Sequence, residues 1–447
     1  MSRIGVVGAG YVGLTTGACL AHLGHDVGCV ETSPARLAAL RAGTSPILEP
    51  GLDDLLREGL AAGRLRFTDR AAEVLGDREF VFLCLPTPQD ADGRADLTYL
   101  HAAVEQIRGV LAPGAVVITK STVPVGSAES VRERLARTDV HVVSNPEFLR
   151  EGSAVHDFLH PDRVVIGTRD AAVGDRVAAL YRGAAGRVIV CDPVSAETIK
   201  YAANSYLAAR LSFANALAAV CEAVGADVSV VMDAVGADAR IGPQFLRPGP
   251  GWGGSCLPKD TAALIATARD AGYDFALLRA VIEMNHEQHR RIVDKVRRAC
   301  GETLADARVA VLGLTFKAHT DDLRDSPALT IVGRLRASGA RVRAFDPAVR
   351  PGGPAATGGA AGASPLAATA GPAGASPLAD VTLCDSALSA CDGADVVLVA
   401  TEWPEFAALD PVAVGGAVAR RTVVDARNVL DPARWRAAGF DYRGVGR

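Results

Sequence analysis

Residues 3–13 read Arg3-Ile4-Gly5-Val6-Val7-Gly8-Ala9-Gly10-Tyr11-Val12-Gly13. A short Ile/Val run that stops at a glycine turn and then opens a helical pattern is the first strand–helix unit of a doubly wound sheet. Each glycine has its own task. Gly8 permits the tight turn, Gly10 lets a pyrophosphate reach the backbone, and Gly13 lets helix and strand pack closely. The helix that opens at Tyr11 and Val12 favours phosphate charge at its N-terminus. Glu31 closes the next strand pattern, where a carboxylate accepts hydrogen bonds from ribose hydroxyls and repels a 2′-phosphate. The stretch predicts an NAD site built from Gly8, Gly10, Tyr11, Val12, Gly13, Glu31 and Arg36. Arg36, five residues after Glu31, is the one feature that pulls towards NADP.

Outward from this unit, strand patterns at 4–7, 26–30, 80–85, 115–119 and 141–144 alternate with helical patterns, which predicts a parallel sheet covered on both faces. This domain is placed at 1–195. From Ser195, read as the cap of a helix beginning at Ala196, to about 297 the chain turns helical. Leu207, Leu211, Ala214, Leu217, Ala218 and Cys221 form an apolar face on a helix that ends near Gly225. That helix reads as a dimer element or an interdomain connector. Strand patterns return at 308–312, 341–345, 395–400 and 422–424, a second doubly wound domain at 298–447. The expected fold is therefore α/β, with two Rossmann-like domains joined by a central helical dimerisation region. Residues 350–379 are nearly all Ala, Gly, Pro and Ser, and read as a disordered surface insertion that buries too little to offset its ordering entropy.

Bulk composition narrows the partners. The 447 residues are 49% hydrophobic with a formal net charge of -4, and no basic run suggests nucleic acid. Nine scattered cysteines without a CxxC pair predict neither structural zinc nor any other metal site, and fit a reducing cytoplasm. No uninterrupted apolar run approaches the ~18 residues of a membrane span, and no signal peptide precedes the first strand. The reading is a cytoplasmic protein without a membrane partner.

Residues 251–260 carry the chemistry: Gly251-Trp252-Gly253-Gly254-Ser255-Cys256-Leu257-Pro258-Lys259-Asp260. A thiol on a glycine-rich turn can approach a substrate, and the lysine three residues on favours its thiolate. By itself Cys256 reads rather as a small buried hydrophobe. Together with a hydride-acceptor site it points to oxidation through a covalent sulfur adduct. Asp260 also stands where it would cap a helix beginning near Thr261.

The chain resembles the UDP-glucose/GDP-mannose dehydrogenase family. The resemblance rests on Gly8 to Gly13, Glu49-Pro50-Gly51-Leu52, Pro86-Thr87-Pro88, Ser121-Thr122-Val123-Pro124-Val125-Gly126 and Asn145-Pro146-Glu147-Phe148-Leu149-Arg150-Glu151-Gly152. It continues through Lys200-Tyr201-Ala202-Ala203-Asn204, residues 253–260, residues 320–327 and residues 401–406. It implies oxidation of a nucleotide sugar at C6 to the carboxylate with two NAD+ per turnover, UDP-glucose being the expected substrate. GDP-mannose or a UDP-N-acetylhexosamine is the alternative. Ser45-Pro46-Ile47 and Leu257 lean to the GDP-mannose branch, Arg240-Ile241-Gly242 to UDP-glucose. Glu31 stands where the family usually has aspartate.

The resemblance implies Cys256 as nucleophile and Lys200 with Asp260 as helpers of the first proton transfer, Asp260 acting through a water held with Thr122. Glu147 is then the base of thioester hydrolysis, and Lys200 and Asn204, one helical turn apart, stabilise the oxyanions. Thr87, Thr122, Glu151 and Arg324 align with NAD contacts. Glu147, Phe148, Leu149, Arg150, Glu151, Lys200, Asn204, Arg247, Gly253, Lys317 and Arg427 align with nucleotide-sugar contacts. Arg240 aligns with an arginine that reaches the partner subunit's site in a homodimer. A catalytically silent dinucleotide-binding sensor would not need this set, and a simple two-electron dehydrogenase would not need Cys256.

Overall fold

The computed structural model describes residues 1–350, 378 and 380–447, and the insertion reading at 350–379 falls almost wholly outside them. The chain divides into two compact units, Met1–Ala203 and Asn204–Arg447. The division falls inside one continuous helix, Pro193–Val224.

The first unit is built on eight strands: β1 Arg3–Val7, β2 Asp26–Val30, β3 Leu65–Thr68, β4 Phe80–Leu83, β5 Val116–Thr119, β6 His141–Ser144, β7 Arg163–Gly167 and β8 Arg187–Cys191. Their order is β3-β2-β1-β4-β5-β6-β7-β8, parallel except for the single antiparallel pairing of Ser144 with Gly167. The sheet reverses direction of growth between β1 and β4, and loops at that switch point form the crevice in which such folds bind ligands. Ile4, Val6, Phe80, Phe82, Val116 and Ile118 face one core, and Val7, Val81, Leu83 and Val117 face the other. Two buried faces explain why these strands read as continuous apolar runs.

Among the described residues the second unit carries six strands: β9 Arg308–Leu312, β10 Arg341–Phe345, β11 Thr382–Leu383, β12 Val396–Val399, β13 Thr422–Asp425 and β14 Asp441–Gly444. Their order, β11-β10-β9-β12-β13-β14, repeats the doubly wound pattern, and every pair is parallel. Helices Val228–Gly236, Leu257–Asp270 and Ala276–Ala299 precede this sheet.

Sequence reading missed β3, β7, β8, β11 and β14. It also set two helix starts late, the long helix at Ala196 and a later one near Thr261. The long helix begins at Pro193, and Asp192 rather than Ser195 serves its first turn, accepting hydrogen bonds from Ser195 N (2.9 Å) and Ser195 Oγ (2.6 Å). This helix has the length and composition to cross a membrane, although Lys200 and Arg210 interrupt its apolar run. Ala214, Ala218 and Cys221 on it pack into the core of the second unit.

Candidate active site

In the first unit the site grows from the carboxyl ends of β1, β4, β5 and β6. Gly8 has φ +91°, and a Cβ there would sit 2.6 Å from the Cys84 carbonyl oxygen. A Cβ on Gly13 would overlap the Gly8 carbonyl, whereas one on Gly10 would meet nothing within 4 Å. The turn therefore closes on the sheet at Gly8 and Gly13 and stays open at Gly10. Glu31 is buried at the end of β2, accepting from Ser33 N at 2.8 Å and pairing with Arg36 Nε at 3.3 Å. Arg36 Nη2 also donates to Ala9 O at 2.8 Å, so its guanidinium bridges the distal acid and the glycine turn.

The loops after β4 and β5 are laced together. Thr87 Oγ1 donates to Thr122 O at 2.8 Å, and Leu85 N donates to Ser121 Oγ at 2.8 Å. Glu49 joins two loops more than a hundred residues apart. Its carboxylate accepts from Gly152 N (2.7 Å), Ala154 N (2.7 Å) and the Tyr11 hydroxyl. Burial, then the Glu49 carboxylate, pushes the Tyr11 pKa up, so Tyr11 stays a neutral donor.

Glu147 follows β6 and is buried. Oε1 accepts from Lys200 Nζ at 2.9 Å and Oε2 from Leu149 N at 2.7 Å. Burial alone would raise its pKa, but the Lys200 ammonium, the Leu149 N–H and Lys120 outweigh it and hold the carboxyl below its ordinary value. Phe148 lies between two cations, with Arg163 3.8 Å and Lys200 5.5 Å from its ring centre.

In the second unit Cys256 occupies the N-cap position of the helix Leu257–Asp270, where the helix dipole favours negative charge. Ser255 Oγ lies 3.6 Å from its sulfur. The preceding turn demands glycine: a Cβ on Gly251 (φ +128°) would meet His289 at 2.5 Å, and one on Gly253 would overlap Asp325 O. Asp260 is fully buried, accepting from Asn204 Nδ2 at 2.6 Å and from Lys259 Nζ at 2.6 Å. Because the helix begins at Leu257, Asp260 sits inside its first turn and does not cap it. Arg427 pairs with Glu402 at 3.0 Å and donates to Ala400 O (3.0 Å) and Phe316 O (2.8 Å).

The chain matches three domain models of the UDP-glucose/GDP-mannose dehydrogenase family: its NAD binding domain over residues 2–185, its central domain over 194–287 and its UDP binding domain over 310–432. The chain belongs to this family. It is 42% identical over 456 residues to the UDP-glucose 6-dehydrogenase of Pseudomonas aeruginosa, an alignment covering 100% of this chain and 97% of the relative. Its fold superposes on a UDP-glucose dehydrogenase from Pyrobaculum islandicum with TM-score 0.86 and 35% identity, covering 100% of this chain and 98% of the other. A UDP-D-ManNAc dehydrogenase from Pyrococcus horikoshii follows with TM-score 0.85 and 29% identity, covering 100% and 99%.

The protein is thus an NAD-dependent oxidoreductase, and its residues fit the cofactor. Gly10 leaves the backbone open beside the helix Tyr11–His22, and Glu31 offers a buried carboxylate at the end of β2. When bound, NAD supplies the hydride acceptor. Arg36 is engaged with Glu31 and Ala9.

The first unit brings together Thr122 and Thr87, and Glu147, Phe148, Leu149 and Lys200. Glu151 lies within electrostatic reach of Tyr11. Arg150 instead pairs with Asp157 (2.6 Å), away from the Glu147–Lys200 pair. The second unit gathers Asn204 with Asp260, and Gly249 and Phe316 with Arg427. Lys317 lies 5.5 Å from the Phe316 ring, Arg324 is bidentate on Asp322, and Arg247 is exposed. Arg240 is exposed and bidentate on Asp238, on a loop whose Ile241 and Gly242 carbonyls accept from Arg210. Sequence reading gave no role to Glu49, Lys120 or Arg163. The available signals were the Glu49-Pro50-Gly51-Leu52 motif and a lysine directly after the apolar strand Val116–Thr119. Among the described residues no three His, Cys, Asp or Glu side chains gather as a metal site.

Proposed function

We propose that this enzyme oxidises UDP-glucose at C6 to UDP-glucuronate, with Cys256 as the covalent nucleophile. The observation that carries the reading is a thiol at a helix N-cap followed by a buried Asp260–Asn204 pair, in a chain of this family. Asp260, through a water held with Thr122, takes the alcohol proton as a hydride leaves C6, and Lys200 helps by donating to the alcohol oxygen. The Cys256 thiolate then adds to the aldehyde carbon and forms a thiohemiacetal, so the reactive aldehyde stays attached. Loss of a second hydride leaves a thioester. Lys200 and Asn204 donate to the oxyanions of the tetrahedral species. Glu147, kept ionised by its neighbours, takes a proton from the water that displaces the thiolate. Arg247, Lys317 and Arg427 bind the nucleotide diphosphate, and Thr87, Glu151 and Arg324 the cofactor.

The test is NADH released per limiting sugar across UDP-glucose, UDP-N-acetylmannosamine and GDP-mannose. The expected result is two NADH per UDP-glucose and none from the others. Two from another sugar moves the substrate to a sister branch; one means that the aldehyde escapes. Ser45-Pro46-Ile47 and Leu257 keep GDP-mannose as the second reading.

The working form is a homodimer in the cytoplasm, and Arg240 reaches the partner's site. An apolar stripe supports the association: Tyr206, Phe213 and Val220 recur every seventh residue on the long helix, and are 65%, 56% and 54% exposed, with Val224 beyond them at 70%.

A further inference from the structure

Lys120 directly follows β5 and is buried. It is 4% exposed, and its ammonium donates to Asn145 Oδ1 at 3.1 Å and to Tyr181 Oη at 3.3 Å. The rings of Phe158 and Tyr181 flank it at 5.8 and 5.7 Å. None of these partners is an anion, and among the described residues no carboxylate lies within 4 Å of the ammonium. A buried ammonium without a bonded carboxylate costs far more than an apolar side chain of the same length. Space filling alone would therefore select methionine here.

The groups facing Lys120 are few. Burial pushes the Cys84 thiol up to about 12 and raises the Tyr181 phenol, so both stay neutral. Lys200 repels Lys120, and Glu147 is the anion that attracts it. Burial pulls Lys120 itself down to about 8, leaving it mostly protonated at neutral pH. Its anchor, Asn145, is two residues from Glu147 and is pinned by its own bonds, Nδ2 to Val165 O at 2.7 Å and N to Thr119 O at 2.9 Å. The link from Lys120 through Asn145 to Glu147 is therefore short and rigid.

We propose that Lys120 is a positioning residue for Glu147: its buried charge, held by Asn145 and Tyr181, fixes the Asn145-Pro146-Glu147 turn and keeps the Glu147 carboxylate ionised for thioester hydrolysis. This rests on the assignment of Glu147 as the hydrolytic base. Removing a positive charge raises the Glu147 pKa, so the unprotonated base is lost at higher pH and the acid limb moves upward.

The experiment measures single-turnover release of the carboxylate product against pH in the full-length enzyme, for the wild type and for Lys120→Met, Lys120→Arg and Asn145→Asp. Lys120→Met should move the acid limb upward by one pH unit for each unit by which Glu147 rises, and on the acid side of the limb its rate should fall about tenfold for each such unit. Lys120→Arg should restore most of it. Asn145→Asp, which sets a carboxylate on the ammonium, should move the limb the same way as Lys120→Met, and it decides the matter if Lys120→Met does not fold. A folded Lys120→Met whose profile superposes on the wild type overturns the proposal, as does an arginine no better than methionine. Wild-type stoichiometry is read first. One NADH per sugar sinks the hydrolytic base and this inference together, whereas two NADH with an unmoved limb sinks the inference alone.

Discussion

Ionisable side chains lie out of water both in the proposed site and beyond it. Glu147, Lys200 and Asp260 are buried and paired. His289 is buried too, yet neither ring nitrogen has a partner, and burial lowers its pKa to about 3. The unfolded chain therefore binds a proton between pH 6.5 and about 3 that the folded chain refuses. This contribution is fully favourable above pH 6.5 and is lost as pH falls towards 3. Replacing His289 by Gln should flatten the fall of Tm between pH 6.5 and 4, and an unchanged slope would assign acid sensitivity to other groups. At the reacting residue, Cys256→Ser should fold normally and lower carboxylate formation by about three orders of magnitude or more. Rapid-quench product analysis reads this directly, and near-normal turnover would remove the thioester.

The glycine turn shows how an element divides its work. Gly13 packs against the Gly8 carbonyl, and Gly10 faces open space. Gly13→Ala should lower Tm by several degrees, because the helix must lift off β1. Gly10→Ala should leave Tm within about a degree and raise KM for NAD+ roughly tenfold, a cost of about 1.4 kcal/mol. Equal effects on both quantities would contradict the division. The central strands β1, β2, β4, β5 and β6 were legible in the sequence because most of their residues are buried and apolar. β8 was missed because it lies at the sheet edge with mostly exposed residues, and β3 because Arg66 breaks a four-residue run. The helix at 257 starts earlier than its periodicity suggests because Pro258 suits the first turn, whose N–H groups need no intrahelical acceptor.

For the molecule as a whole, the exposed Tyr206, Phe213 and Val220 stripe gives the dimer proposal a direct test. Phe213→Glu should shift the chain to monomer in light scattering and lower activity, since Arg240 would then lack a partner site. A dimer that survives the change places the interface elsewhere. The sequence by itself determined the fold class, the NAD cofactor and the family. Those signals are local: a glycine turn between strand and helix, a cysteine on a turn, motifs read in chain order. The tertiary structure alone decided which ionisable groups share a buried space. Lys120 meets Tyr181 across 61 residues and Glu49 meets Ala154 across 105. Burial and Coulomb energy depend on distance in space, and spacing along the chain carries no record of contacts that only the assembled sheet creates.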